Sequence, residues 1–118
     1  MRKFRSAADA IIVTTVVCIE EEFRGWLAEI NRYGDVHKQL AAYGGFTELL
    51  KSLTAWEILP FDDAAATEFK RLRAQRIRIG TQDLKIASIC RIHGALLLSA
   101  NLRDFRKVPN LLVEDWLH

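Results

Sequence analysis

Two short runs of apolar residues stand out along the chain, IIVTTVV at 11–17 and ALLLS at 95–99. The first is β-branched throughout. Both read as buried strands of the kind found in parallel sheets, where each face is covered by helices. Between them the apolar period lengthens from continuous to helical. Glu20, Glu21 and Glu22 open a helix in which Phe23, Trp26, Leu27 and Ile30 share a face, and the helix ends near Gly34. A second helix is expected from about Asp35 to Tyr43, broken by Gly44-Gly45, with helix resuming from Phe46 to Leu53. Trp56–Leu59 is a short strand stopped by Pro60. Asp62 or Asp63 caps a helix running to about Arg76, with Ala65, Ala66, Phe69 and Leu72 facing inward. Thr81 to Ile92 is a helix with an inner face of Leu84, Ile86, Ala87, Ile89 and Cys90, ended by Gly94. Residues 111–115 read as an edge strand, and the first ten residues as the end of a helix. Strands alternating with helices predict an α/β fold with a mainly parallel central sheet flanked by helices.

The length of 118 residues allows a single domain, expected over 1–118. Half of the residues are hydrophobic, so a core is available. A net charge of +2 is too small to establish a nucleic-acid partner. Cys18 and Cys90 lie far apart within apolar runs, which reads as buried reduced thiols in a cytoplasmic protein. No run reaches the ~18–20 apolar residues of a membrane span, so no membrane partner is expected.

In open α/β sheets ligands sit beyond the carboxyl ends of the strands. Three acids fall there in the expected topology. Glu21 follows the strand at 11–17, Asp83 starts the helix before the strand at 95–99, and Asp104 lies just past that strand. Clustered carboxylates repel unless a cation or protons neutralise them, and hard oxygen ligands suit Mg²⁺ or Mn²⁺. Each acid also has a local explanation. Glu21 and Asp83 suit helix N-termini, with Thr81 or Gln82 as equally good caps for the second, and Asp104 suits a loop.

The motifs themselves are more specific than the spacing. TVVCIEEEFRGW resembles the segment of PIN-domain ribonucleases, the VapC toxins, in which a Thr-rich strand leads to a Glu four residues ahead of a Gly; Gly25 assigns that Glu to Glu21. IGTQDLKIA resembles the segment carrying the family's third acid, at Asp83. LLLSANLRDF is similar to the strand and motif that supply Ser99, Asn101 and the fourth acid, Asp104. The likeness runs over about 11–116. It implies a PIN-like fold and a Mg²⁺- or Mn²⁺-dependent endoribonuclease, the toxin of a toxin–antitoxin pair, often dimeric and silenced by an antitoxin protein. Glu21, Asp83 and Asp104 would then hold the metal, with Asn101 and Ser99 orienting Asp104, water or RNA.

One departure from the family is large. The family's chains begin with a strand bearing an Asp-Thr-Asn-like motif and a helix, and neither is found ahead of the strand at 11–17. MRKFRSAADA instead resembles the family's second helix, so the chain reads as N-terminally truncated and short of the first catalytic Asp. Loss of a central strand would bare its neighbours' backbone donors. Three outcomes are expected: the strands at 11–17 and 95–99 pair directly, a partner or second copy fills the gap, or the chain is a mis-started or degraded gene product. A catalytically inactive remnant that binds protein or itself is the alternative function. Basic residues crowd the acids: Lys70, Arg71, Arg73, Arg76 and Arg78 before Asp83, and Arg103, Arg106 and Lys107 around Asp104. This is either a solvated face or an RNA-binding one, with Arg24, Arg78 and Arg103 the expected RNA contacts. His37, His93 and His118 show no metal pairing.

Overall fold

The computed structural model describes residues 3–5, 12–99 and 102–115. Strands β1 (Lys3–Arg5), β2 (Ile12–Thr15), β3 (Glu57–Leu59), β4 (Leu96–Ser99) and β5 (Val113–Asp115) form one sheet in the order β3-β2-β1-β4-β5. β3 is parallel to β2, and β5 is parallel to β4. β1 is antiparallel to both β2 and β4, so those two run the same way and four of the five strands share one direction.

The slot between β2 and β4 is therefore filled from within the chain. The expected direct pairing of the two apolar strands does not occur, because β1 lies between them. Phe4 is in register with Val13 on one side and Leu97 on the other. Residues 3–5, expected within a helix, are this strand; the rest of that expected helix, 1–2 and 6–10, lies outside the described residues. The physical reason is backbone satisfaction. Two parallel strands held apart each present a row of unpaired N–H and C=O groups, and burying such groups unpaired costs free energy comparable to a lost hydrogen bond. A third strand between them satisfies both rows.

Five helices complete the described fold: α1 (Val16–Asn31), α2 (Leu40–Ser52), α3 (Asp63–Ala74), α4 (Thr81–His93) and the short α5 (Leu102–Phe105), with a single 3-10 turn at Leu53–Ala55. α4 is the most buried, because Leu84, Ile86, Ala87, Ser88, Ile89 and Cys90 are all inside. The polar member, Ser88, donates its hydroxyl to the Leu84 carbonyl at 2.7 Å and so carries no orphan donor into the core. The chain leaves α4 through Gly94, whose φ of 61° is left-handed and suits a residue without Cβ. α3 starts as its sequence predicts, with Asp62 Oδ1 accepting from the Ala65 N–H at 3.0 Å. Its Ala65 and Leu72 are buried against Val13, Leu97, Phe105 and the α4 face.

α1 and α2 form an antiparallel pair on the flank of this core. The expected break at Gly44-Gly45 is absent: α2 runs through both glycines, and 35–39 make turns ahead of it. The explanation lies on α1. A Cβ at Gly45 would stand 2.1 Å from Trp26 Cη2, so that glycine is where the indole ring rests on the α2 backbone. Next to this contact Phe23 meets Phe46 edge-on, with ring centroids 5.2 Å apart.

Candidate functional site

Sheet register places the functional edge. Val13, Phe4 and Leu97 lie side by side, so the carboxyl ends of β2 and β4 reach the same edge and the amino end of β1 reaches it between them. α1 leaves that edge at once. Thr15 is both the last residue of β2 and the N-cap of α1; its fully buried Oγ1 accepts from the Cys18 N–H at 3.1 Å. The three glutamates follow one turn later. α4 runs back along the sheet into β4, which brings its first turn, with Asp83, to the same edge. α5, with Asp104, begins three residues past β4. The sheet topology thus brings the segments that carry the three acids to one edge.

Their finer arrangement differs from expectation. Glu20 Oε1 accepts from Gln82 Nε2 at 2.9 Å, tying the second turn of α1 to the first turn of α4 beside Asp83. Successive helical residues are turned by about 100°, so Glu21 points elsewhere. It lines a groove of about 670 Å³ between α1 and α2 with Glu22, Gly25, Trp26, Glu29, Ala41 and Ala42. Asp104 is half-buried, and its Oδ1 lies 3.4 Å from Lys107 Nζ and 3.9 Å from Arg103 Nε. Asp83 is half-buried in the first turn of α4, where the dipole favours its charge. That helix is capped neither by Thr81 nor by Gln82: Gly80 is its N-cap and supplies no side-chain hydrogen bond. Ser99 ends β4, but its side chain, and the whole of Asn101, lie outside the described residues.

Among the described residues, no three of His, Cys, Asp or Glu gather as a metal ion would need. Glu21, Asp83 and Asp104 share an edge but do not fit a ready cation cage. Helical phase turns Glu21 toward α2, and two cations flank Asp104.

The basic residues also sort themselves. Arg24 is held at 2.6 Å by Glu20. Arg71 is bound by Glu68, which the Arg91 Nε approaches at 3.5 Å; the Glu68 hydrogen bond raises the Arg71 pKa from its ordinary value. Arg73 lies over the Phe69 ring. Arg78 and Arg103 are exposed. The sequence reading gave no site role to Glu20, and it set Lys107 beside Asp104 without its bond to the Arg78 carbonyl. Helical phase was the available signal for the first, since Glu20 and Arg24 are one turn apart. Nothing local signals the long-range role of the second.

The description "PIN domain" matches residues 1–111. The chain belongs to the PIN-domain family. Among curated PIN relatives it is 35% identical over 91 residues to "Ribonuclease VapC1" of Rickettsia felis, covering 74% of this chain and 66% of that one. It is 32% identical over 83 residues to "tRNA(fMet)-specific endonuclease VapC" of Salmonella typhimurium, covering 67% of this chain and 58% of that one. The chain thus spans less than two thirds of the length of these relatives. Among solved structures, VapBC2 from Rickettsia felis bound to a DNA fragment from their promoter superposes with a TM-score of 0.64 at 23% identity, covering 93% of this chain and 78% of that one. DNA-bound VapBC from Salmonella typhimurium gives 0.60 at 24% identity, covering 86% and 73%. At these identities the structures establish the shared fold. PIN-domain VapC nucleases are in general dependent on a divalent metal.

Proposed function

We propose that this PIN-domain chain is a VapC-type endoribonuclease, the toxin of a toxin–antitoxin pair working in the cytoplasm. Mg²⁺ or Mn²⁺ is the cofactor; Glu21, Asp83 and Asp104 would have to converge on it as ligands, with Ser99 and Asn101 orienting Asp104, water or RNA. The partners are an RNA substrate contacted by Arg24, Arg78 and Arg103, an antitoxin protein, and a second copy in a homodimer. The observation that carries this reading is the 35% identity, over 74% of the chain, to a relative named as a ribonuclease. Arrival of the three acids at one sheet edge on three separate elements supports it. No helix among the described residues is long and apolar enough to cross a membrane.

The described acids do not form a three-ligand group, so no step is routed through a bound ion. The chain's own contribution is electrostatic. Exposed arginines beside the edge draw the RNA backbone in, and Asp83 at the head of α4 would need a cation to offset its repulsion of a phosphodiester.

The test is cleavage of a labelled structured RNA by the purified chain with Mg²⁺ or Mn²⁺. Metal-dependent cleavage that disappears in Asp83→Asn supports the reading. Equal background cleavage by both proteins sinks it, and leaves the inactive, protein-binding remnant as the account of this chain.

A further inference from the structure

Two short stretches that mix buried apolar residues with exposed cations meet beside Asp104. In Arg76-Ile77-Arg78-Ile79, both isoleucines pack against the core cluster, while both arginines are exposed. In Phe105-Arg106-Lys107-Val108, Phe105 and Val108 are buried at 0% and 3%, while Arg106 and Lys107 are exposed. The apolar residues pin each stretch to the core and leave the cations next to them exposed. Arg76 stands at a φ of 58°, a left-handed geometry uncommon outside glycine, which turns the chain out of α3 into this loop. The stretches are joined across 29 residues by Lys107 Nζ, which donates to the Arg78 carbonyl at 3.1 Å and also lies 3.4 Å from Asp104. Among the described residues Arg76, Arg78 and Arg106 make no ion pair, unlike Arg24 and Arg71, whose charges are engaged by neighbouring glutamates.

We infer that Arg76, Arg78 and Arg106 form a ledge that binds the phosphodiester backbone of single-stranded RNA, braced by Lys107 beside Asp104. The inference rests on the ribonuclease reading for its substrate class. The ledge holds its cations on fixed backbone rather than on a flexible tail, so less ordering entropy is lost on binding. Cations without intramolecular acids are the ones able to replace counterions on phosphates. Arg76 and Arg106 extend the expected RNA contacts to residues that no catalytic motif contains.

The experiment is fluorescence anisotropy of a labelled single-stranded RNA with the full chain in EDTA, where cleavage is off, across a KCl titration. Each lost phosphate contact should lower the log–log salt slope by about 0.7. Arg76→Gln/Arg106→Gln should therefore flatten it by about 1.4, and bind about 25-fold more weakly at 0.1 M salt if affinities converge at 1 M. Circular dichroism melting confirms the variant's fold, and Arg32→Gln/Lys51→Gln is the charge-matched control. An unchanged slope, or the same loss in the control, overturns the ledge. So does displacement of the RNA by polyglutamate as readily as by unlabelled RNA, which would assign the surface to an acidic protein. Equal binding of the matching DNA supports backbone recognition. Binding that follows the ledge in a chain that cleaves nothing would keep this inference and sink the enzyme reading alone.

Discussion

Adjacent glycines in α2 should respond in opposite directions to the same substitution. Glycine in a helix interior costs about 0.8–1 kcal/mol relative to alanine. At Gly44, a Cβ would have nothing within 4 Å, so Gly44→Ala should recover most of that amount. At Gly45 the same methyl would meet three atoms of the Trp26 ring at 2.1, 2.3 and 2.7 Å. Those separations are far inside van der Waals contact, so the indole must swing or α1 and α2 must part. Overpacking of this kind costs about 1–3 kcal/mol, and moving the ring also strips contacts in the groove it lines. Set against the helix gain, Gly45→Ala should be destabilising by about 1–2 kcal/mol. For a domain of this size each kcal/mol moves Tm by roughly 3–5 °C, so the two variants should melt on either side of wild type. Urea unfolding gives the same comparison in free energy. A Trp26→Leu background, which removes the ring, should make both alanines stabilising. If Gly45→Ala stabilises the wild-type background as much as Gly44→Ala does, Trp26 does not rest on that glycine.

The buried core makes two further predictions. Thr15→Ala removes the oxygen that receives the Cys18 N–H at the start of α1 and should cost about 1–2 kcal/mol in urea unfolding, with Thr15→Ser losing much less; equal losses would show that the methyl, not the cap, matters. Burial pushes the Cys90 thiol well above its ordinary 9.0, with Cys18 adding to the shift. The native state then keeps its proton while the unfolded chain loses one, so stability present below pH 9 should fall as pH rises beyond it, by up to about 1.4 kcal/mol per pH unit for this thiol. Cys90→Ala should show that much less alkaline slope, and native Cys90 should resist alkylation at pH 8; matching slopes in both proteins would refute the assignment.

The buried residues of α4 were legible in the sequence because Leu84, Ile86, Ala87, Ile89 and Cys90 form a nearly unbroken apolar run, and the helix is buried around most of its circumference rather than along one stripe. The leucine run of β4 was legible for the same reason, but the β-branched run at 11–17 was read too long: β2 ends at Thr15, whose side chain caps α1, and Val16 and Val17 are helical. The Gly44-Gly45 break was misread because local propensity treats two glycines as a stop, whereas α2 keeps one of them to admit Trp26 from another helix. Motif spacing assigned Glu21, but helical phase brings Glu20 to Gln82. A one-residue difference is small in a pattern, and about 100° on a helix.

The direction of β1 was beyond any local signal. A three-residue strand pairs as well in either sense, and only its neighbours decide. Here both neighbours are parallel to each other and β1 runs against both. That choice has a chemical consequence at the functional edge. A central strand parallel to β2 and β4 would end at this edge with its carboxyl-terminal residue, where the family resemblance expects an Asp. The reversed strand begins there instead, and the position in register with Leu98 is Lys3. The central strand thus brings its amino-terminal end to the edge rather than its carboxyl end, where Glu20 is tied to Gln82 and Asp104 lies near Lys107 and Arg103. RNA binding in EDTA and cleavage in Mg²⁺ or Mn²⁺ are therefore two separate tests for this chain.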